Sequence, residues 1–172
     1  YYAGATAWTS GSHAASTAPY NLHDGNDDAE GIVDPVGTTI TWTGPSTGTW
    51  NTASNWSGSV VPGQYDDVII NAGVTVTINY ATNPSVTINS LTASGNLWLQ
   101  GDTASSDEED VVTFSIAAPS TVSGTITLHK AMLVGTGHLT VSGTMNWNDG
   151  TIGGTGTLTI ASGATLTLAS GG

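Results

Sequence analysis

"STVSGTITLHKAMLVGTGH" (120–138) is followed by "LTVSGTMNWNDGTIGGTGT" (139–157) and then by "LTIASGATLTLASGG" (158–172). Set beneath one another, the three stretches place Thr121, Thr140 and Thr159 in one column, 19 residues apart. Val122, Val141 and Ile160 form a second column. Leu128, Trp147 and Leu166 form a third, with one inserted residue assigned to the last copy. The likeness extends backwards. "LTASGNLWL" (91–99) matches "LTVSGTMNW" (139–147), but Leu91 and Ser120 are 29 residues apart, ten more than the period. The hydrophilic stretch near "DTASSDEED" (102–110) accounts for the excess. One turn earlier still, "NAGVTVTI" (71–78) resembles "ASGATLTL" (161–168). About five copies result.

Each copy carries short alternating runs such as "TITL", "HLTV" and "TLTI". Alternation of apolar residues with Thr at period two is a strand signal. Ser-Gly, Gly-Thr and Asn-Asp-Gly mark the turns. One such unit cannot bury its apolar face alone, whereas stacked copies share a continuous core. The sequence therefore predicts an all-β chain, a β-solenoid in the form of a right-handed parallel β-helix of about five turns. A β-sandwich with chance likeness between its strands is the competing fold. The expected organisation is an extended segment with an acidic loop over 1–40, a Trp-rich cap over 41–70, and repeats over 71–172.

The cap is read from "WTGPSTGTWNTASNW" (42–56), which holds three of the six Trp of the chain. No helix or strand period links Trp42, Trp50 and Trp56. They stand just before the first repeat, where a solenoid needs its first turn covered to hide apolar core and unpaired backbone. A lid is the expected role, and sugar stacking is the alternative. Asp66 and Asp67 follow a Pro-Gly turn; they are expected to fix that turn and to hydrogen-bond the cap.

The stretch "GTWNTASNWSGSVVPGQYDDVIINAGVTVTI" (48–78) resembles a segment of bacterial secreted and cell-surface β-helix proteins, autotransporter-like proteins and other large adhesins among them. Trp50, Ala53, Asn55, Trp56, Ser57, Pro62, Asp67, Val68, Ile70 and Gly73 carry the likeness to its pattern W-x-A-x-N-W-S, G-x-x-P, D-x-V-x-I and G-x-x-V-T-V, although here the spacings are W-x-x-A and G-x-x-x-P and the residue two before Val68 is Asp66. The resemblance spans about residues 42–172. It implies a β-helix and a surface or secreted location. It brings no catalytic residues with it.

Composition narrows the function. Lys130 is the only Lys or Arg, against 13 Asp and Glu, and the formal net charge is −12. Such a chain does not suit nucleic acid phosphate or an anionic membrane surface. No apolar run is long enough to span a bilayer. Cys is absent, which removes disulfides and thiol chemistry. "DGNDDAEG" (24–31) and Asp34 set Asp24, Asn26, Asp28 and Glu30 at alternate positions, a pattern of oxygen ligands that suits Ca²⁺. It departs from an EF-hand loop, with Gly at position 8 and Pro35 at position 12. A solvated loop is the plainer reading, as it is for "DEED" (107–110). His129 and His138 are read as exposed polar side chains.

An enzyme is not expected. A polysaccharide lyase needs Lys or Arg beside its metal, and only Lys130 is available. Asp66 and Asp67 are adjacent, so on a strand they point to opposite faces and cannot pair across a cleft. Thr-x-Thr runs could order ice, but Asn96, Trp98 and Asn146 interrupt them. The expected function is that of an extracellular structural protein that assembles head to tail with copies of itself. The chain stops within a repeat at "TLTLASGG", and residues 1–40 form a long lead whose anchors would be Tyr1, Tyr2, Trp8 and Tyr20. Trp98 or Trp147 binding a glycan on an adhesin module is the alternative, although their alignment with Leu128 and Leu166 favours core packing. An excerpt of a larger adhesin is the other, since the chain opens on Tyr1 rather than Met.

Overall fold

The computed structural model describes residues 37–104 and 110–169, and the backbone alone at 20–22 and 33–35. The chain divides into two units, residues 1–36 and 37–172. In the first, β1 (Tyr20–Leu22) and β2 (Val33–Pro35) pair antiparallel, with Tyr20 opposite Pro35 and Leu22 opposite Val33.

The second unit is a parallel β-solenoid with three strands per full coil. A first coil holds β3 (Thr39–Thr41) and β4 (Thr47–Thr49). The second holds β5 (Asp67–Ile70), β6 (Thr75–Asn79) and β7 (Ser85–Ile88). The third holds β8 (Ser90–Ala93), β9 (Asn96–Gln100) and β10 (Val112–Ile116). The fourth holds β11 (Ser120–Val122), β12 (Thr125–His129) and β13 (Ala131–Gly135). The fifth holds β14 (Leu139–Val141), β15 (Thr144–Trp147) and β16 (Gly150–Ile152). β17 (Leu158–Ile160) and β18 (Thr165–Leu168) begin a sixth. Corresponding strands stack into a first sheet, β3-β5-β8-β11-β14-β17, a second, β4-β6-β9-β12-β15-β18, and a third, β7-β10-β13-β16. The solenoid thus begins within the expected lead, and Asp67–Ile70 is already an ordinary coil strand.

Alternation creates the core. Over 91–99 the residues Leu91, Ala93, Leu97 and Leu99 are buried while Thr92, Ser94, Asn96 and Trp98 are exposed. The inward positions of each coil stack in register. Val76, Leu97, Ile126 and Met145 form one such column in the second sheet. All four are fully buried. Each such side chain contributes about 1.5–3 kcal/mol. The outward Thr suits a pleated, half-exposed surface.

The turns explain the repeat. Gly124 lies under Gly95, and Gly143 under Gly124, at the corner between the first and second sheets. A Cβ on Gly124 would lie 2.0 Å from the Gly95 carbonyl oxygen, and one on Gly143 would lie 2.1 Å from that of Gly124. The recurring Ser-Gly is therefore a close-approach requirement. The sixth coil turns differently. Its corner spans 161–164, with Gly163 at φ +85°, so two residues are added, not one. Leu166 consequently stands beside Met145, and it is Leu168 that stands beside Trp147. A one-residue insertion would have sent every later side chain to the wrong face.

The excess after "LTASGNLWLQ" falls where expected. Gln100 pairs with His129 and Val112 with Ala131, so residues 101–111 occupy the place that Lys130 fills alone one coil later. Lys130 turns that corner with φ +48° and reaches back, its Nζ donating to the Asp102 carbonyl at 2.9 Å.

Candidate functional site

Three surfaces of the solenoid could interact with something else: its first coil, its last described coil, and the outward face of the second sheet.

The first coil is closed. Trp42, Trp50 and Trp56 are at most 3% exposed. Trp56 meets Trp42 edge to face, with ring centroids 4.9 Å apart, and meets Trp50 at 4.7 Å. Trp50 continues inward to Phe114 of the third coil at 5.8 Å. These are the favoured geometries of aromatic pairs. Two indoles are anchored, Trp42 Nε1 donating to the Pro45 carbonyl at 2.9 Å and Trp56 Nε1 to the Trp50 carbonyl at 2.7 Å. Trp50 Nε1 is buried and has no acceptor. Polar groups shield the edge of β3. Trp56 bridges antiparallel to Trp42. Thr41 N–H donates to Ser57 Oγ at 3.0 Å, and the N–H groups of Thr43 and Gly44 donate to the Asn55 carbonyl. A short edge blocked in this way resists pairing with another chain.

Asp66 and Asp67 hold the coil rather than the tryptophans, which corrects the expected bond to the cap. Asp66 Oδ1 accepts from Thr38 N–H and Thr38 Oγ1, both at 3.0 Å, and its Oδ2 accepts from Gly63 N–H at 2.8 Å. Asp67 Oδ1 accepts from Asn89 Nδ2 at 2.8 Å and Ser90 Oγ at 2.5 Å. The pair thus ties the start of β3 and the start of β8 to β5. Backbone carbonyls instead meet the indole donors of Trp42 and Trp56.

The last described coil is less covered. β16, β17 and β18 each pair on one side only among the described residues. Ile152, Leu158 and Ile160 are only partly buried against the core. Leu166 and Leu168 are 41% and 61% exposed, although they occupy inward columns.

The second sheet presents a flat outward face. One column runs Thr75, Asn96, Thr125, Thr144, Thr165, and the next runs Thr77, Trp98, Thr127, Asn146, Thr167. Side-chain bonds cross the strands, Asn96 Nδ2 donating to Thr75 Oγ1 at 3.2 Å and Asn146 Nδ2 to Thr127 Oγ1 at 3.3 Å. Trp98 stands in the middle of this face at 40% exposure. The expected core packing of Trp98 is therefore corrected: it shares a column with Thr77 and Thr127, while Leu99 takes the inward place. Trp147 does occupy the inward column of Leu128 and packs against the core, its Nε1 donating to the Gly150 carbonyl at 3.2 Å.

The remaining candidates divide between described and undescribed residues. Asp24, Asn26, Asp28 and Glu30 lie outside the described residues, as do Tyr1, Tyr2 and Trp8. Tyr20 and Asp34 lie in β1 and β2, where the backbone alone is described. Of "DEED", only Asp110 is described. Among the described residues no three His, Asp or Glu side chains gather as a metal site. His129 ends β12 of the second sheet, whereas His138 precedes β14 of the first and hydrogen-bonds Thr157 Oγ1 through Nδ1. No described helix is long and apolar enough to cross a membrane.

Comparison of the chain with protein-family models, with curated proteins and with solved structures finds no match.

Proposed function

We propose that this chain is an extracellular structural protein, a β-solenoid that assembles head to tail with copies of itself into a filament or surface layer. The closed first coil and the repeated stack carry the reading. Trp42, Trp50 and Trp56 cover the first coil, and Asn55 and Ser57 block the edge of β3. Among the described residues β16, β17 and β18 each pair on one side only, and Leu166 and Leu168 are 41% and 61% exposed. A free edge beside apolar side chains is a template for an added strand. The complement is an extended segment with large apolar anchors. Residues 1–23 carry Tyr1, Tyr2, Trp8 and Tyr20 as such anchors. Adding the leading segment of one copy to the open edge of the next makes a heterologous contact that need not close, which is the geometry of a fibre. The blocked edge disfavours growth by direct stacking on the lid. Calcium held by Asp24, Asn26, Asp28, Glu30 and Asp34 belongs to the same proposal, setting the direction of the leading segment. The likeness of residues 48–78 to bacterial surface β-helices supports the extracellular setting.

Electron microscopy of the purified chain and of a variant lacking residues 1–23, each in calcium and in chelator, tests this. The full chain is expected to form regular filaments and the truncated chain to stay dispersed. Truncated chains that assemble like the full one overturn the proposal. Filaments indifferent to chelator keep the assembly and remove calcium from it.

A further inference from the structure

The outward face of the second sheet has a feature that end-to-end assembly does not use. In "NLWLQ" (96–100) the inward Leu97 and Leu99 are fully buried, so Asn96, Trp98 and Gln100 point away from the core. Trp98 lies on a regular strand, flanked across the sheet by Thr77 and Thr127. The indole is 40% exposed at the centre of a threonine surface. Every other Trp described is buried or packed against the core. A cleft of about 250 Å³ opens just beyond it, at the corner where residues 101–111 leave the coil. Asn79, Gln100, Asp102 and Thr103 line it, together with Tyr80. Gln100 is two residues from Trp98 on the same face, so plate and cleft are neighbours.

The chemistry of this surface is selective. It combines an exposed aromatic plate with amides and hydroxyls that both donate and accept. The outward positions of β6, β9, β12 and β15 carry no Lys, Arg, Asp or Glu, in a chain whose formal net charge is −12. Charged residues stand at the rim of the cleft, away from the Trp98 face: Asp102, whose Oδ1 accepts from Ala104 N–H at 2.8 Å and whose N–H donates to the Asp110 carbonyl at 2.9 Å, and Lys130, whose Nζ donates to the Asp102 carbonyl at 2.9 Å. A polyanion is repelled by the molecule as a whole. A pyranose matches instead: its C–H face lies against an indole, and its hydroxyl rim meets amides and hydroxyls. The cleft is smaller than the ~300–1,000 Å³ of sites for drug-sized molecules, which suits one sugar ring.

We infer that Trp98 and the adjoining Asn79/Gln100/Asp102 cleft form a binding platform for an uncharged polysaccharide, with one sugar ring stacked on the indole and its neighbour seated in the cleft. The inference stands apart from the assembly proposal, because the platform belongs to a single copy.

Retention of the full chain on cellulose, on chitin and in a soluble-starch gel tests it, with polygalacturonate as the charged control. The expected result is retention on at least one of the three neutral polymers and none on polygalacturonate. Trp98→Ala is expected to weaken retention at least about 10-fold, as for a central aromatic anchor, while Trp98→Tyr keeps most of it. Trp98 is exposed, so the unfolding midpoint of Trp98→Ala should match that of the parent. No retention on any neutral polymer overturns the inference, as does retention that Trp98→Ala leaves unchanged. A Trp98→Ala variant whose sedimentation changes while its retention does not makes the face a contact between copies, which also overturns it.

Discussion

Trp50 and Trp56 are buried to the same degree, yet their indole nitrogens differ: Trp56 Nε1 donates to the Trp50 carbonyl and Trp50 Nε1 donates to nothing. Leaving a buried donor without a partner costs about 1–3 kcal/mol. Removing it refunds that cost; removing Trp56 Nε1 instead strands the Trp50 carbonyl. Trp56→Phe is therefore expected to destabilise more than Trp50→Phe, by about 1–3 kcal/mol in denaturant unfolding. Equal losses would mean that the lid is held by ring packing alone. That three tryptophans gather before the first repeat was readable from their position. Their partners were not, since Pro45 and Trp50 accept through backbone carbonyls, which no residue identity announces. Trp98 was legible in principle. The parity of "NLWLQ" places it opposite Leu97 and Leu99, and only matching Trp98 to the leucine column by similarity hid this.

At the level of the coil, length is set by its corners. The Ser-Gly corner admits no side chain at its glycine, because the coil above lies 2.0–2.1 Å from where a Cβ would sit. Gly143→Ala should cost several kcal/mol, at the upper end of point-mutant effects. Gly153→Ala, with nothing within 4 Å of its Cβ position, should stay within about 0.5 kcal/mol of the parent. Thermal unfolding of the two variants decides whether close stacking is what the repeated glycine serves. The insertion offers the complementary test. Removing residues 102–111 leaves Gly101 to turn the corner as Lys130 does one coil later. Long surface loops alter stability only slowly with length, so the shortened chain should keep its fold and stability within about 1 kcal/mol. A chain that fails to fold would show that residues 101–111 are part of the coil. The 19-residue period, the ten-residue excess, the columns of Thr121 and Val122 and the pairing of Leu128 with Trp147 were visible in the sequence, because stacked coils must repeat their inward side chains. The two residues added at the 161–164 corner were misjudged as one. Similarity alone does not count parity, while the pleat enforces it.

For the whole molecule, the parallel three-sided stack follows from one short unit that cannot bury its face alone. Three strands per coil were beyond the sequence, since the third strand's runs, such as "AMLVG" and "GTI", alternate weakly. The functional proposal rests on the lid over the first coil and on the aromatic residues of the leading segment, Tyr1, Tyr2, Trp8 and Tyr20; a directional contact between identical chains propagates. The chain contains no Cys, which permits a direct test by cross-linking. One population carries Tyr2→Cys and another Leu168→Cys; they are mixed under reduction, oxidised slowly and separated by mass. The account predicts a disulfide between Cys at position 2 of one copy and Cys at position 168 of another, formed far faster than either homodimer. Cross-linking only between two Leu168→Cys copies, or none between the two populations, would contradict head-to-tail assembly.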